Sequence, residues 1–161
     1  MKLGEAIEDV EAAETSLPKE LLKIGQRHAA EQDVYHVCHT LAKRCDEQLA
    51  LLTPHRKRYG AHVSQRVGEP AAGVERVRRM SSELLAGQQP SGALLLRDLK
   101  ELAGVVQHAE LEWVVLLQAA KAARDQQLKT AAEEGREHAE ARGKWVRTRI
   151  KELAPQVLFA G

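Results

Sequence analysis

LGEAIEDVEAAETSLPKELLKI, residues 3–24, sets Leu3, Ile7, Val10, Leu17, Leu21 and Ile24 at alternating steps of four and three. That spacing gives one apolar face of an α-helix, and Glu14 stands in the middle of the same stripe. A carboxylate inside an apolar seam must be paired, protonated or bound to a metal, because an isolated buried charge costs several kcal/mol or more. The fold follows from the stripe, and the functional question is what meets Glu14.

The same pattern recurs along the chain. Ala, Leu, Glu, Gln, Lys and Arg dominate, while β-branched and aromatic residues are scarce, so helix is favoured almost throughout and no strand is expected. The first helix should cover about 3–28. Pro18 lacks the amide that would bond the Glu14 carbonyl, so a kink is expected there, the alternative being a break with Ser16 capping a new start. A second helix, about 33–59, should start at an Asp33 N-cap and end at Tyr59 and Gly60. Its stripe is Val34, Cys38, Leu41, Cys45, Gln48 and Leu52, and Pro54 is a second site for a kink or a break.

Gly68, Pro70, Gly73, Gly87 and Pro90 mark residues 60–90 as a connector, with a short amphipathic helix at about 71–86 through Val74, Val77, Met80 and Leu84. A third helix, about 91–126, presents Leu95, Leu99, Leu102, Val106, Ala109, Trp113, Leu116 and Ala120. A fourth, about 128–154, should stop at Pro155, with Gly135, Ala139 and Gly143 on one face where a neighbour can approach closely. The expectation is one all-α domain over residues 1–161, a four-helix bundle whose long middle connection crosses the bundle, which is the ferritin-like arrangement.

Composition excludes more than it assigns. The 24 basic and 23 acidic side chains leave a formal charge of +1, which gives no bulk pull toward nucleic acid or an anionic membrane. Acidic residues gather at the first helix start and basic ones at later helix ends, as helix dipoles favour. The basic groups at His55–Arg58 and Arg76–Arg79 read as solvated helix ends, so no nucleic-acid partner is expected. Cys38 and Cys45 are seven residues apart on one helix, about 10 Å, beyond disulfide reach. They read as core residues of a reducing compartment. With no apolar leader, and the longest apolar run only Trp113 to Leu117, the expected location is the cytoplasm and not a membrane.

Carboxylate-bridged centres in ferritin-like bundles draw a Glu from each of two helices and a Glu-x-x-His pair from each of the others. Glu-x-x-His is absent from this sequence. Asp33 with His36, and the one-turn pairs His108 with Glu112 and Glu134 with His138, are the nearest forms. Counting from the hairpin turns places Lys43, Arg44, Asp46 and Glu47 at the level of Glu14. Glu110 and Glu112 come to a comparable height, with Glu137 and His138 within a turn and a half. The candidate metal ligands are therefore Glu14, Glu47, Glu110, Glu112, Glu137 and His138. The competing reading pairs Glu14 with Lys43 or Arg44 in an ion pair that replaces the metal.

The run DVEAAETSLPKELLKI resembles the first helix of the small bacterial ferritin-like proteins associated with stress responses. HAELEWVVLLQAAKAARDQQL followed by EEGREHAEARGKW is similar to their second hairpin. The resemblance implies a metal-ligand position at Glu14, at one of Glu110 and Glu112, and at Glu137 or His138. It departs from the family on the second helix, where this chain offers Lys43, Arg44 and Glu47, and at Gly143, where the family tends to carry an acid. The expected function is a ferritin-like bundle whose metal centre is partly or wholly lost, a structural or interaction protein rather than an enzyme. The alternative is a carboxylate-bridged iron or manganese protein with oxidase or iron-handling activity. A homodimer is expected from the broad apolar third helix and the small-residue face of the fourth, and an unknown protein partner is also compatible.

Overall fold

The computed structural model describes residues 2–62 and 91–160. Among the described residues there are four helices: α1 (Leu3–Arg27), α2 (Gln32–Arg58), α3 (Gly92–Ala122) and α4 (Gln126–Leu158). Among the described residues there is no strand. The expected short helix at 71–86 lies outside the described residues, and so does Arg76–Arg79.

The stripes found in the sequence are the core. Ile7, Val10, Leu17 and Leu21 of α1 are fully buried, as are Leu99, Trp113 and Leu116 of α3. Each such side chain contributes about 1.5–3 kcal/mol relative to an exposed one. Gly135 is a condition of this packing. A Cβ there would overlap the Trp113 ring, so the small-residue face of α4 admits α3's largest side chain.

Both prolines in question sit inside unbroken helices, Pro18 in α1 and Pro54 in α2. Ser16 does not cap a new start; its hydroxyl donates back to the Ala13 carbonyl at 2.9 Å. Helix α4 likewise continues through Pro155 to Leu158 instead of stopping there. Proline removes its own amide and crowds the carbonyl four residues back, but Pro155 lies in the last turn of α4, four residues after the exposed Lys151. Asp33 is not the cap of α2, which starts at Gln32 after Glu31. Its carboxylate instead meets Arg149 Nε of α4 at 3.1 Å. Ser91 does cap α3, accepting from the Leu94 amide at 3.2 Å. Gly60, at φ +66°, closes α2 while the Ala61 amide reaches the Arg56 carbonyl at 3.0 Å.

Side-chain ties fix the helix directions. Arg27 at the end of α1 meets Asp98 at the start of α3, so those two helices are antiparallel. Arg149 late in α4 meets Glu31 and Asp33 at the start of α2, and Arg58 at the end of α2 meets Asp125 at the start of α4. Packing runs α1 on α2 and α3, and α4 on α3 and α2, which leaves α1 with α4 and α2 with α3 across the diagonals. Helix α2 therefore ends at one end of the bundle and α3 begins at the other.

The core is in two parts. One holds Leu17, Leu21, Cys38, Cys45, Leu99, Ala109 and Val146; the other holds Ile7, Val10, Leu52, Trp113, Leu128 and Ala139. Each helix passes from one part to the other through a single level. At that level stand Glu14, Gln48 and Arg142.

Candidate functional site

Three of the four helices send a polar side chain into this level, and α3 adds an indole. Glu14 is 0% exposed, and Arg142 and Gln48 are each 2% exposed. The guanidinium of Arg142 grips the carboxylate by two bonds, Nη2 to Oε1 at 2.8 Å and Nη1 to Oε2 at 3.1 Å. The Trp113 indole donates to Oε1 at 2.8 Å. The Gln48 amide is assigned with its nitrogen toward the carboxylate, where it lies 3.0 Å from both oxygens; the reverse assignment would set oxygen against oxygen. Both carboxylate oxygens are thus saturated by donors.

Electrostatics agree with a charged pair. Burial opposes the Arg142 charge, but the Glu14 carboxylate bonded to it outweighs burial and raises the guanidinium pKa still further. Cys45 borders the pair, with Arg142 Nη1 3.5 Å from its sulfur. Its thiol is pushed up to about 12, first by burial and then by the Glu14 charge. Cys38 is also raised to about 12, again chiefly by burial. Both thiols are free and buried, consistent with core residues.

The cation expected at Glu14 is therefore present, but it is Arg142 and not Lys43 or Arg44, which are both exposed. The level expected along α2 was close; the face was not. Lys43 and Arg44 follow the buried Leu41 and Ala42 and turn outward, while Cys45 and Gln48 one turn on point inward. Arg142 falls between Ala139 and Val146 at helical spacing, a charge on the apolar stripe of α4 just as Glu14 is on that of α1. Two opposite charges at matching stripe positions were the signal available in the sequence.

The candidate metal ligands do not converge on Glu14. Glu47 and Glu137 are exposed. Glu112 is half-buried and sits 3.6 Å from His108, and His138 is 4.0 Å from Glu134, so both remain one-turn pairs along their own helices. Glu110 comes closest to the core; it reaches the niche left by Gly143, where its Oε2 is buried with no hydrogen-bond partner. Glu47 and His138 do share the wall of a cavity of about 50 Å³ between α2 and α4, with Arg44, Gln48, Leu51 and Glu134. Gln48, which lines it, also meets the Glu14 carboxylate. Among the described residues, no group of three or more His, Cys, Asp or Glu side chains is placed to hold a metal ion. A dinuclear centre does not fit this donor set: its central carboxylate is saturated and a guanidinium fills the space beside it.

The basic helix end at His55–Arg58 is also used internally. Arg56 Nε donates to the buried Glu11 at 2.7 Å, and Arg58 bonds Asp125, which also accepts from the Tyr59 hydroxyl. His55 is buried, and burial followed by the neighbouring Arg58 charge lowers its pKa. Among the described residues, no helix is long and apolar enough to cross a membrane. Compared with family models, with curated proteins and with solved structures, the chain matches none.

Proposed function

We propose that this chain is a ferritin-like bundle in which a protein-internal ion pair has taken over the place of the metal centre, and that it serves as a cytoplasmic structural or interaction protein. One observation carries the reading: the carboxylate matching the family's ligand on the first helix is held bidentately by Arg142 in the bundle interior. A guanidinium and a divalent cation satisfy the same buried charge, so a chain with the former has no electrostatic need of the latter. The order of helix directions, with α2 ending at one end and α3 beginning at the other, supports the crossover connection that such a bundle requires.

The test is metal loading. Purified protein is incubated with Fe(II) or Mn(II) under reducing conditions, desalted, and analysed for bound metal and for oxygen consumption. The expected result is metal well below one ion per chain, unchanged by Glu14→Ala. Two tightly held ions per chain that Glu14→Ala removes would overturn the proposal in favour of a working dinuclear centre.

A further inference from the structure

The exposed faces of α1, α2 and α4 carry charge, whereas α3 exposes its own charges, Arg97, Lys100, Glu101 and Lys121, toward its two ends and leaves an uncharged row between them. Gly104, His108, Leu111, Val115, Gln118 and Ala122 follow one another at steps of four and three, and all are exposed. Leu111 is 52% and Val115 56% exposed, two of the largest apolar side chains left uncovered. Over these turns no Lys, Arg, Asp or Glu stands in the row. By contrast the outward row of α4 offers Glu134, Glu137, Lys144, Arg147 and Lys151 to water. Alternating steps of four and three are the spacing at which two helices pack along one another, and Leu111 and Val115 are the apolar pair at the centre of this row.

We propose that this face of α3 docks against the same face of a second copy of this chain, the two helices antiparallel about a two-fold axis at the level of Trp113. The register comes from the row itself. Rotation about that level sets Leu111 against Val115 of the other copy, His108 against Gln118, and Gly104 against Ala122. An apolar pair lies at the centre, a hydrogen-bonding pair flanks it, and the smallest pair sits at the margins. Each match occurs twice, as an isologous contact requires. Gly104 leaves space on its outward side, since a Cβ there would meet nothing within 4 Å. Glu112 beside the row lies 3.6 Å from His108, and the exposed Glu101 stands one turn beyond its Gly104 end.

Charge favours a second copy over an acidic or basic partner, because a neutral row gains nothing from a charged one and meets no repulsion from itself. The seam from Gly104 to Ala122 is about 27 Å long and one helix wide, which gives roughly 300 Å² per copy. A standard stable interface buries about 800 Å² per partner. The dimer is accordingly a reversible one that exchanges with monomer as concentration changes.

Sedimentation velocity from low micromolar to near-millimolar concentration reads the result. The wild-type chain should double in mass across that range. Leu111→Lys and Val115→Glu should each remain monomeric. An equimolar mixture of the two should recover the dimer, because the seam sets the new ammonium of one variant against the new carboxylate of the other. Ala141→Glu, on the exposed face of α4, should dimerise like wild type. Circular dichroism confirms that each variant is helical, and a variant that loses helicity is replaced by Leu111→Gln or Val115→Gln, for which dimerisation at least tenfold weaker than wild type is expected. A wild-type chain that stays monomeric throughout, a dimer indifferent to these substitutions, or variants that fail to rescue each other would overturn the proposal. None of these outcomes bears on metal loading, so this inference and the proposed function fail independently.

Discussion

Arg142 and Glu14 stabilise the bundle only together. Removing the cation in Arg142→Met leaves a carboxylate at 0% exposure with no counter-charge, and the expected loss is about 3–5 kcal/mol in chemical denaturation. Glu14→Leu with Arg142→Met in one chain should recover most of it, since an apolar pair of similar volume replaces the ions. Recovery should fall short, because the Trp113 indole and the Gln48 amide lose their acceptor, at about 1–3 kcal/mol for a buried donor left unpaired. A double-mutant cycle measures both effects, and additive single losses would contradict the account. Asp98 makes a second prediction at this scale. It is buried against His28 Nε2 at 2.8 Å and Arg27 Nη1 at 3.0 Å. Burial alone would raise its pKa, but these two partners outweigh it and hold the carboxyl below its ordinary range. The stability from a carboxyl lowered in the folded state is complete above its unfolded value and is lost as pH falls through its folded value. Asp98→Asn should therefore cost stability at neutral pH and flatten the acid side of the urea midpoint plotted against pH.

At the scale of elements, one side chain ties the α3–α4 turn to α2. Asp125 accepts from the Leu128 amide at 3.0 Å as the N-cap of α4, and also binds Arg58 and Tyr59 of α2. Asp125→Ala should cost about 1–2 kcal/mol as a cap alone. Asp125→Ser, which keeps the cap and drops the charge, separates the two roles: thermal melts should place it between wild type and Ala. The sequence did not disclose this cap, because no apolar residue before Leu128 flagged the start and the helix was expected to begin at about that residue. Other elements were legible for a definite reason. A stripe at steps of four and three survives any neighbour, so α1, α2 and α3 were readable from Leu3, Val34 and Leu95 onward. Prolines were less so, since whether Pro155 stops a helix depends on what solvates the Lys151 carbonyl, a property of the folded surface. The partner of Glu14 was hardest. A level along the bundle follows from counting, but the facing direction of Lys43, Arg44 or Arg142 depends on the rotation of each helix, and a turn count does not carry that.

For the whole molecule, the two buried thiols report on opening of the bundle. Cys38 and Cys45 are both 0% exposed and, with pKa values near 12 against an ordinary 9.0, hold their protons at neutral pH. A thiol raised in the folded state adds stability that is complete below its unfolded value and is lost as pH climbs toward its folded value, so alkaline solution should loosen the fold. At neutral pH a thiol reagent should modify neither cysteine until the chain unfolds, and both should then react at a common rate. Labelling followed by mass spectrometry checks this; fast modification of one cysteine in folded protein would reveal local opening around α2 instead.

The Glu14–Arg142 bond spans 128 positions of sequence. During synthesis, residues 1–62 leave the ribosome with a carboxylate on the inner face and only Gln48 to answer it. The indole arrives with residue 113, and the cation not until residue 142. The amino-terminal hairpin therefore holds its carboxylate without a counter-charge until residue 142 emerges, and α4 delivers the charge that allows α1 to bury its own.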